Sequence, residues 1–190
     1  MSSSPVAAKS DKKDAILNAM LDLVVERGLH DAPMSAVTDR SGASPGVIYH
    51  YFPSKEDLIR SLYERVATMK REAFLEGYSD AMPPREALLK VWLNAYRFYR
   101  THPKELRFLD QYLNSTYCSP GKESPDPSIA RITQLLRPRK QGGIMKDLPP
   151  EAIDSLTLGL ASSLARAPKA FSPATLRHVA ETVWAAIADE

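Results

Sequence analysis

The residues with the clearest chemistry stand close together between positions 44 and 55. Ser44 supplies a hydroxyl, Tyr49 and His50 supply donors of different reach, and Lys55 supplies a cation. This mixture suits the phosphate oxygens of a nucleic acid, contacts that position a protein without reading sequence. Val47, with the backbone at Pro45 and Gly46, suits a base edge such as a thymine methyl. Catalysis finds little support. The histidines at positions 30, 50, 102 and 178 have no metal-ligand spacing, and Cys118 has no activating partner in the sequence. There is no nucleophile-elbow pattern and no glycine-rich phosphate loop. No enzyme, cofactor or metal is therefore expected.

These groups need a scaffold, and the stretch from Met34 to Leu58 provides one. A first short helix near 34–41 buries Val37 and Met34, and Ser35 on it can reach a phosphate. Gly42 supplies a left-handed turn at no steric cost. Ser44 then caps a second helix of about two turns, opened by Pro45. Two short helices joined in this way form a helix-turn-helix, whose second helix enters the DNA major groove. Ser54 and Asp57 have capping-box spacing and start a further helix, with Lys55 beside its N-terminus. Tyr49 and His50 are expected to face DNA, and Tyr51 and Phe52 to pack inward. Lys9, Lys12 and Lys13 suit either flanking phosphates or an ordinary solvated face. The rival to a DNA reader is a helical ligand-binding or protein-interaction module without DNA binding. Such a module has no need of the Gly, Tyr, His and Lys positions found between 44 and 55.

The rest of the chain reads as helical. Fifteen prolines look hostile to helices, but many stand where helices begin. Ser44-Pro45, Asp126-Pro127 and Ser172-Pro173 pair an N-cap residue with proline at the first helical position, and Pro84 and Pro103 fit the same role. Between them the apolar spacing is helical: Ile16, Met20, Leu23 and Val24 share a face ended by Gly28, and Leu88, Leu89, Trp92, Leu93, Tyr96 and Tyr99 share another. Expected helices are 11–27, 34–41, 45–51, 54–78, 85–101, 103–117, 127–141, 150–166 and 172–189, with a loop from Ser119 to Ser128. In 127–141, Pro138 should kink or end the helix. The fold class is all-α. Expected divisions are an N-terminal flexible arm (1–10), a helix-turn-helix domain (11–56) and a helical regulatory and dimerisation domain (57–190).

Bulk properties say less. The net charge is +2, and residues 1–58 carry six Lys/Arg against eight Asp/Glu, a formal −2. Any affinity for DNA must therefore rest on where the cations sit. A single cysteine precludes an internal disulfide, no run of about 20 apolar residues suggests a membrane span, and MSSSPVAAKSDKK lacks a signal-peptide pattern. A cytoplasmic protein is expected.

The run from Ser41 to Leu58, SGASPGVIYHYFPSKEDL, resembles the turn, recognition helix and fourth-helix start of the TetR family of transcription regulators. Ile16 to Gly28, ending Glu26-Arg27-Gly28, is similar to that family's first helix, and the likeness covers about residues 12–62. One departure is Ala32-Pro33, where the family places a Thr or Ser cap; Asp31 is a candidate substitute. The resemblance implies about nine helices and a homodimer on a pseudo-palindromic operator in double-stranded DNA. It also implies repression, relieved by an unidentified small-molecule effector. It implies a ligand cavity, for which Trp92, Tyr96, Phe108 and Tyr112 are the aromatic candidates, with core packing as the default reading of any single one, and Arg97, Gln111 and Asn114 the polar ones. The family's dimer is a four-helix contact of the last two helices, which here points to Leu156, Leu160, Val183, Trp184 and Ile187. Gly159 and Ala161 would allow close approach.

Overall fold

The computed structural model describes residues 5–118 and 137–189. Among these the regular structure is helical, apart from isolated bridges joining Met145 to Pro138 and to Ala188. The helices are α1 (Pro5–Arg27), α2 (Met34–Ser41), α3 (Pro45–Tyr51), α4 (Lys55–Phe74), α5 (Pro84–Thr101), α6 (Pro103–Leu113), α7 (Pro150–Asp154), α8 (Leu160–Ala165) and α9 (Pro173–Ile187). A π-helical turn (Ser155–Gly159) joins α7 to α8, and a 3₁₀ turn spans Arg139–Gln141. The described residues form two compact units, one falling within 1–68 and 104–120 and the other within 69–103 and 121–190. The helix-turn-helix lies in the first unit, together with the start of α4 and, from much later in the chain, α6.

The first unit has one apolar core. Ile16, Met20, Leu23 and Val24 of α1 meet Val37, Ile48, Phe52, Leu58, Ile59, Leu62 and Val66. Phe108, Leu109 and Tyr112 of α6 complete it. Tyr112 stacks on Tyr63 of α4, with ring centroids 4.2 Å apart. Phe108 and Tyr112 are thus core residues of the first unit, whereas Trp92 and Tyr96 lie in the other unit. The four aromatics expected around a ligand do not form one cluster within either unit.

In the second unit α5 packs on α8 and α9, burying Ala87, Trp92, Ala95, Tyr96, Phe98 and Tyr99. The Trp92 indole N–H donates to the Thr157 carbonyl in the π turn (3.0 Å), so a buried donor is satisfied. Arg97 pairs with Glu76, and Asn114, in the first unit, donates to its own helix at Asp110 O. Both are engaged within the chain. Val183, Trp184 and Ile187 are buried within this single chain, because that face of α9 supplies intramolecular core. Of the five residues assigned to a dimer contact, Leu156 (39% exposed) and the half-buried Leu160 offer surface. Gly159 serves its own π turn, since a Cβ there would stand 3.3 Å from the Asp154 carbonyl oxygen. Ala161 is fully buried.

Helix ends differ from expectation for local reasons. Helix α1 begins at Pro5, so residues 5–10, expected in the arm, are helical; proline suits a first turn and two alanines follow. Helix α4 stops at Phe74, where Gly77 takes φ +66° and the buried Asn94 amide donates to the Phe74 and Glu76 carbonyls. Helix α6 stops at Leu113, where the Ser115 hydroxyl turns back to Tyr112 O and also accepts from Tyr117 N–H. Most of 127–141, the Asp126-Pro127 start and the Ser119–Ser128 loop lie outside the described residues. Its last residues form the 3₁₀ turn after Pro138, closed by Gly142 at φ +79°. Pro33 holds the N-cap position of α2 and gives it no side-chain cap, and Asp31 does not take its place.

Helices α1 and α2 are tied by Arg40, which donates to both carboxylate oxygens of Glu26 at 2.6 and 2.8 Å. That hydrogen bond, ahead of the general attraction of the guanidinium, holds the Glu26 carboxyl below its ordinary range. A depressed folded-state value means that the pair's stabilisation is present above pH 4.5 and is lost as the pH falls below it. Glu26→Gln should therefore lower the denaturation midpoint near neutral pH at low salt, and the difference from wild type should vanish on acidification.

Gly42 takes φ +68°, and its N–H closes α2 on the Thr38 carbonyl. Gly42→Ala should cost about 1–2 kcal/mol in chemical denaturation. Gly46 has ordinary φ and nothing within 4 Å of a Cβ, so Gly46→Ala should gain roughly 0.5 kcal/mol in the same assay.

Candidate nucleic-acid interface

The turn between α2 and α3 is built from short-range bonds. Gly42 reverses the chain, and the Ser41 hydroxyl accepts from Ala43 N–H at 3.2 Å. Ser44 stands at the N-cap of α3 in extended backbone, and its carbonyl accepts from Val47 and Ile48 N–H. Its hydroxyl makes no cap hydrogen bond, so Ser44 holds the expected position without the expected side-chain contact.

Helix α3 is two-sided. Ile48 within it and Phe52 just after it are each 1% exposed and anchor it in the core, with Tyr51 half-buried beside them. Pro45, Gly46, Tyr49 and His50 are exposed, and Val47 is half-exposed. Tyr49 is 51% exposed, unusual for a large ring in a well-packed unit. The inward role expected for Phe52 and the outward one for Tyr49 and His50 match this geometry, and Ser35 on α2 is also exposed.

Beside the turn lies an open groove lined by Asp11, Lys12 and Ala15 of α1, Ser41–Ser44, and Val47. It brings a cation from α1 and the half-exposed Val47 of α3 to one cleft. Lys13 points elsewhere, its ammonium 6.0 Å above the Phe52 ring, and the side chain of Lys9 lies outside those described.

At the start of α4, Ser54 accepts from Asp57 N–H (3.0 Å) and donates to the Asp57 carboxylate (2.6 Å). The expected capping spacing is thus realised. Lys55 is not a freely extended cation. Its ammonium donates to the His30 carbonyl at 2.9 Å, and partial burial pushes its pKa down against the attraction of Asp31.

Several acidic residues that made residues 1–58 formally negative are paired in place. Asp22 accepts from Lys104 at 2.6 Å, Asp14 lies 3.8 Å from Arg65, and Glu56 pairs with Arg60 at 2.8 Å. These three cations come from beyond residue 58, which is why a count over that segment misjudged its electrostatics. Sequence reading also missed the joint placement of Lys12 and Val47, which follows only from the packing of α1 on α2.

Comparison with known proteins agrees with this geometry. Residues 16–62 match the family model "Bacterial regulatory proteins, tetR family", and residues 84–188 match "Tetracyclin repressor-like, C-terminal domain". An HTH-type transcriptional regulator of Haemophilus influenzae is 25% identical over 188 residues, covering 95% of this chain and 97% of that protein. HTH-type transcriptional regulator BetI of Escherichia coli O45:K1 is 30% identical over 83 residues, 44% of this chain and 42% of that protein. Among solved structures, a TetR family transcription regulator from Marinobacter aquaeolei has a TM-score of 0.83 at 21% identity, covering 97% of this chain and 99% of that one. The HI0893 regulator of Haemophilus influenzae has a TM-score of 0.71 at 24% identity, covering 96% and 99%. The helix-turn-helix, the all-helical fold and both family models together place the chain in the TetR family of bacterial transcription regulators.

Proposed function

We propose that this regulator binds a pseudo-palindromic operator as a homodimer, represses by occupying it, and leaves it when a small-molecule effector binds. The observation that carries the DNA contact is the two-sided α3, which buries Ile48 and leaves Pro45, Gly46, Tyr49 and His50 outward. Tyr49, His50 and Ser44 then contact phosphate, as do Ser35 and Lys55, while Val47 and the Pro45–Gly46 backbone approach base edges. Lys12 in the adjoining groove adds a flanking phosphate contact.

In the dimer, Leu156 and Leu160 supply accessible surface, backed by the buried Val183, Trp184 and Ile187. The effector reading rests on Trp92 and Tyr96 in the second unit, and on release by differential affinity for two states. No helix among the described residues is long and apolar enough to cross a membrane, and a DNA partner makes the cytoplasm the working compartment.

Selection of bound sequences from random duplex DNA tests this reading. It should recover a two-fold site with half-sites about 34–36 Å apart, or a multiple of that. A site without two-fold symmetry would exclude the dimer, and no enrichment would exclude operator recognition. Affinity should fall with salt by roughly 0.9 log units per log unit for each phosphate contacted.

Two substitutions separate the roles. Val47→Ala should change preference at one base pair by about 1–3 kcal/mol, measured by competition among single-base variants. Lys55→Ala should weaken binding even to random duplex and reduce the salt slope by about 0.9. An unchanged slope with weaker binding would show that Lys55 acts only by holding His30.

A further inference from the structure

The corner between α1 and α2 is gripped by helices from far along the chain. Gly28 turns it with φ +94°, its N–H closing on the Val24 carbonyl at 2.9 Å. Gln111 of α6 reaches the same place. Its side-chain oxygen accepts from Leu29 N–H at 2.9 Å, and its amide nitrogen donates to the Val24 carbonyl at 3.2 Å. Both ends of one amide are therefore used on two backbone groups, which fixes it in two directions.

The next residue is held as well. Lys55 of α4 donates to the His30 carbonyl, and the Tyr117 ring lies 6.1 Å from the His30 ring. Leu29 and Ala32 are buried on either side of it. Helix α2 leaves from this corner, with Val37 N–H bonded to the Pro33 carbonyl. A tilt of the corner would be carried directly into the helix-turn-helix. Tyr112, next to Gln111, stacks on Tyr63, so the amide is presented from a helix that is itself fixed to α4.

We propose that Gln111 is a positioning residue for operator recognition: its amide holds the α1–α2 corner in the orientation from which α3 reads its site. This rests on the operator reading above. Phosphate attraction tolerates small tilts of the head, but base readout does not. Loss of the amide should therefore separate specific from non-specific binding.

The test uses the full chain and two variants. Gln111→Met keeps length and bulk without hydrogen bonding; Gln111→Glu keeps the acceptor for Leu29 N–H and loses the donor to Val24. Each is titrated with the duplex that wild type selects and with random duplex at one salt concentration, alongside amide hydrogen exchange over residues 28–41. Gln111→Met should lose about tenfold on the selected duplex with random-duplex affinity unchanged, and exchange at the corner should quicken. Gln111→Glu should fall between it and wild type. Equal loss on both duplexes, or no loss, overturns the proposal. If wild type itself does not distinguish the two duplexes, the operator reading fails, and exchange decides the corner alone. Unchanged protection in Gln111→Met then overturns the grip, and faster exchange supports it.

Discussion

A helix of seven residues is too short to persist by itself in water, because its nucleation cost is spread over too few hydrogen bonds. Helix α3 exists because Ile48 and Phe52 are sunk into a core made by other elements. That burial fixes which way every remaining side chain of α3 points. Tyr49 and His50 are outward because Ile48 is inward. The display of polar groups is thus a by-product of an apolar contact, and the precision of any DNA contact is limited by the rigidity of that core.

Charge acts at a finer scale than composition suggests. The head is not a basic domain, and several of its carboxylates are matched by neighbours: Glu26 by Arg40, Asp22 by Lys104, Asp14 by Arg65. Exposed pairs of this kind contribute little stability. Their larger effect is to reduce the repulsion that an approaching polyanion would meet. What remains near the turn is a mixed groove, with Lys12 beside Asp11. Such a surface favours modest non-specific affinity and leaves discrimination to shape and to the α3 edge.

Much of this was readable from residue order because it is local. Gly28 and Gly42 mark left-handed stops, prolines open α3, α5, α6 and α9, and Ser54 with Asp57 starts α4. Each rule spans four or five residues. The errors lie where distance along the chain is large. Phe108 and Tyr112 share an apolar face that suits a core by default and a ligand wall as well, and only their partners in α1 and α4 decide for core. The apolar face of α9 likewise cannot announce whether it meets its own chain or another. The polarity of Gln111 suits a ligand contact, whereas its amide closes backbone bonds 82 and 87 residues away. No periodicity encodes such a contact.

The head is discontinuous in sequence, and this has a consequence in time. Its core is closed by Phe108, Leu109 and Tyr112, which are translated some way after α3. Domains generally fold as units during synthesis, N-terminal first. Here the N-terminal unit is incomplete until α6 has left the ribosome. The recognition helix is among the first elements made and is secured only after the whole of α5 has been added. A nascent chain stalled within α5 therefore displays α3 without the packing that orients it, and acquires a DNA-reading surface only once α6 follows, with most of the second unit still to come.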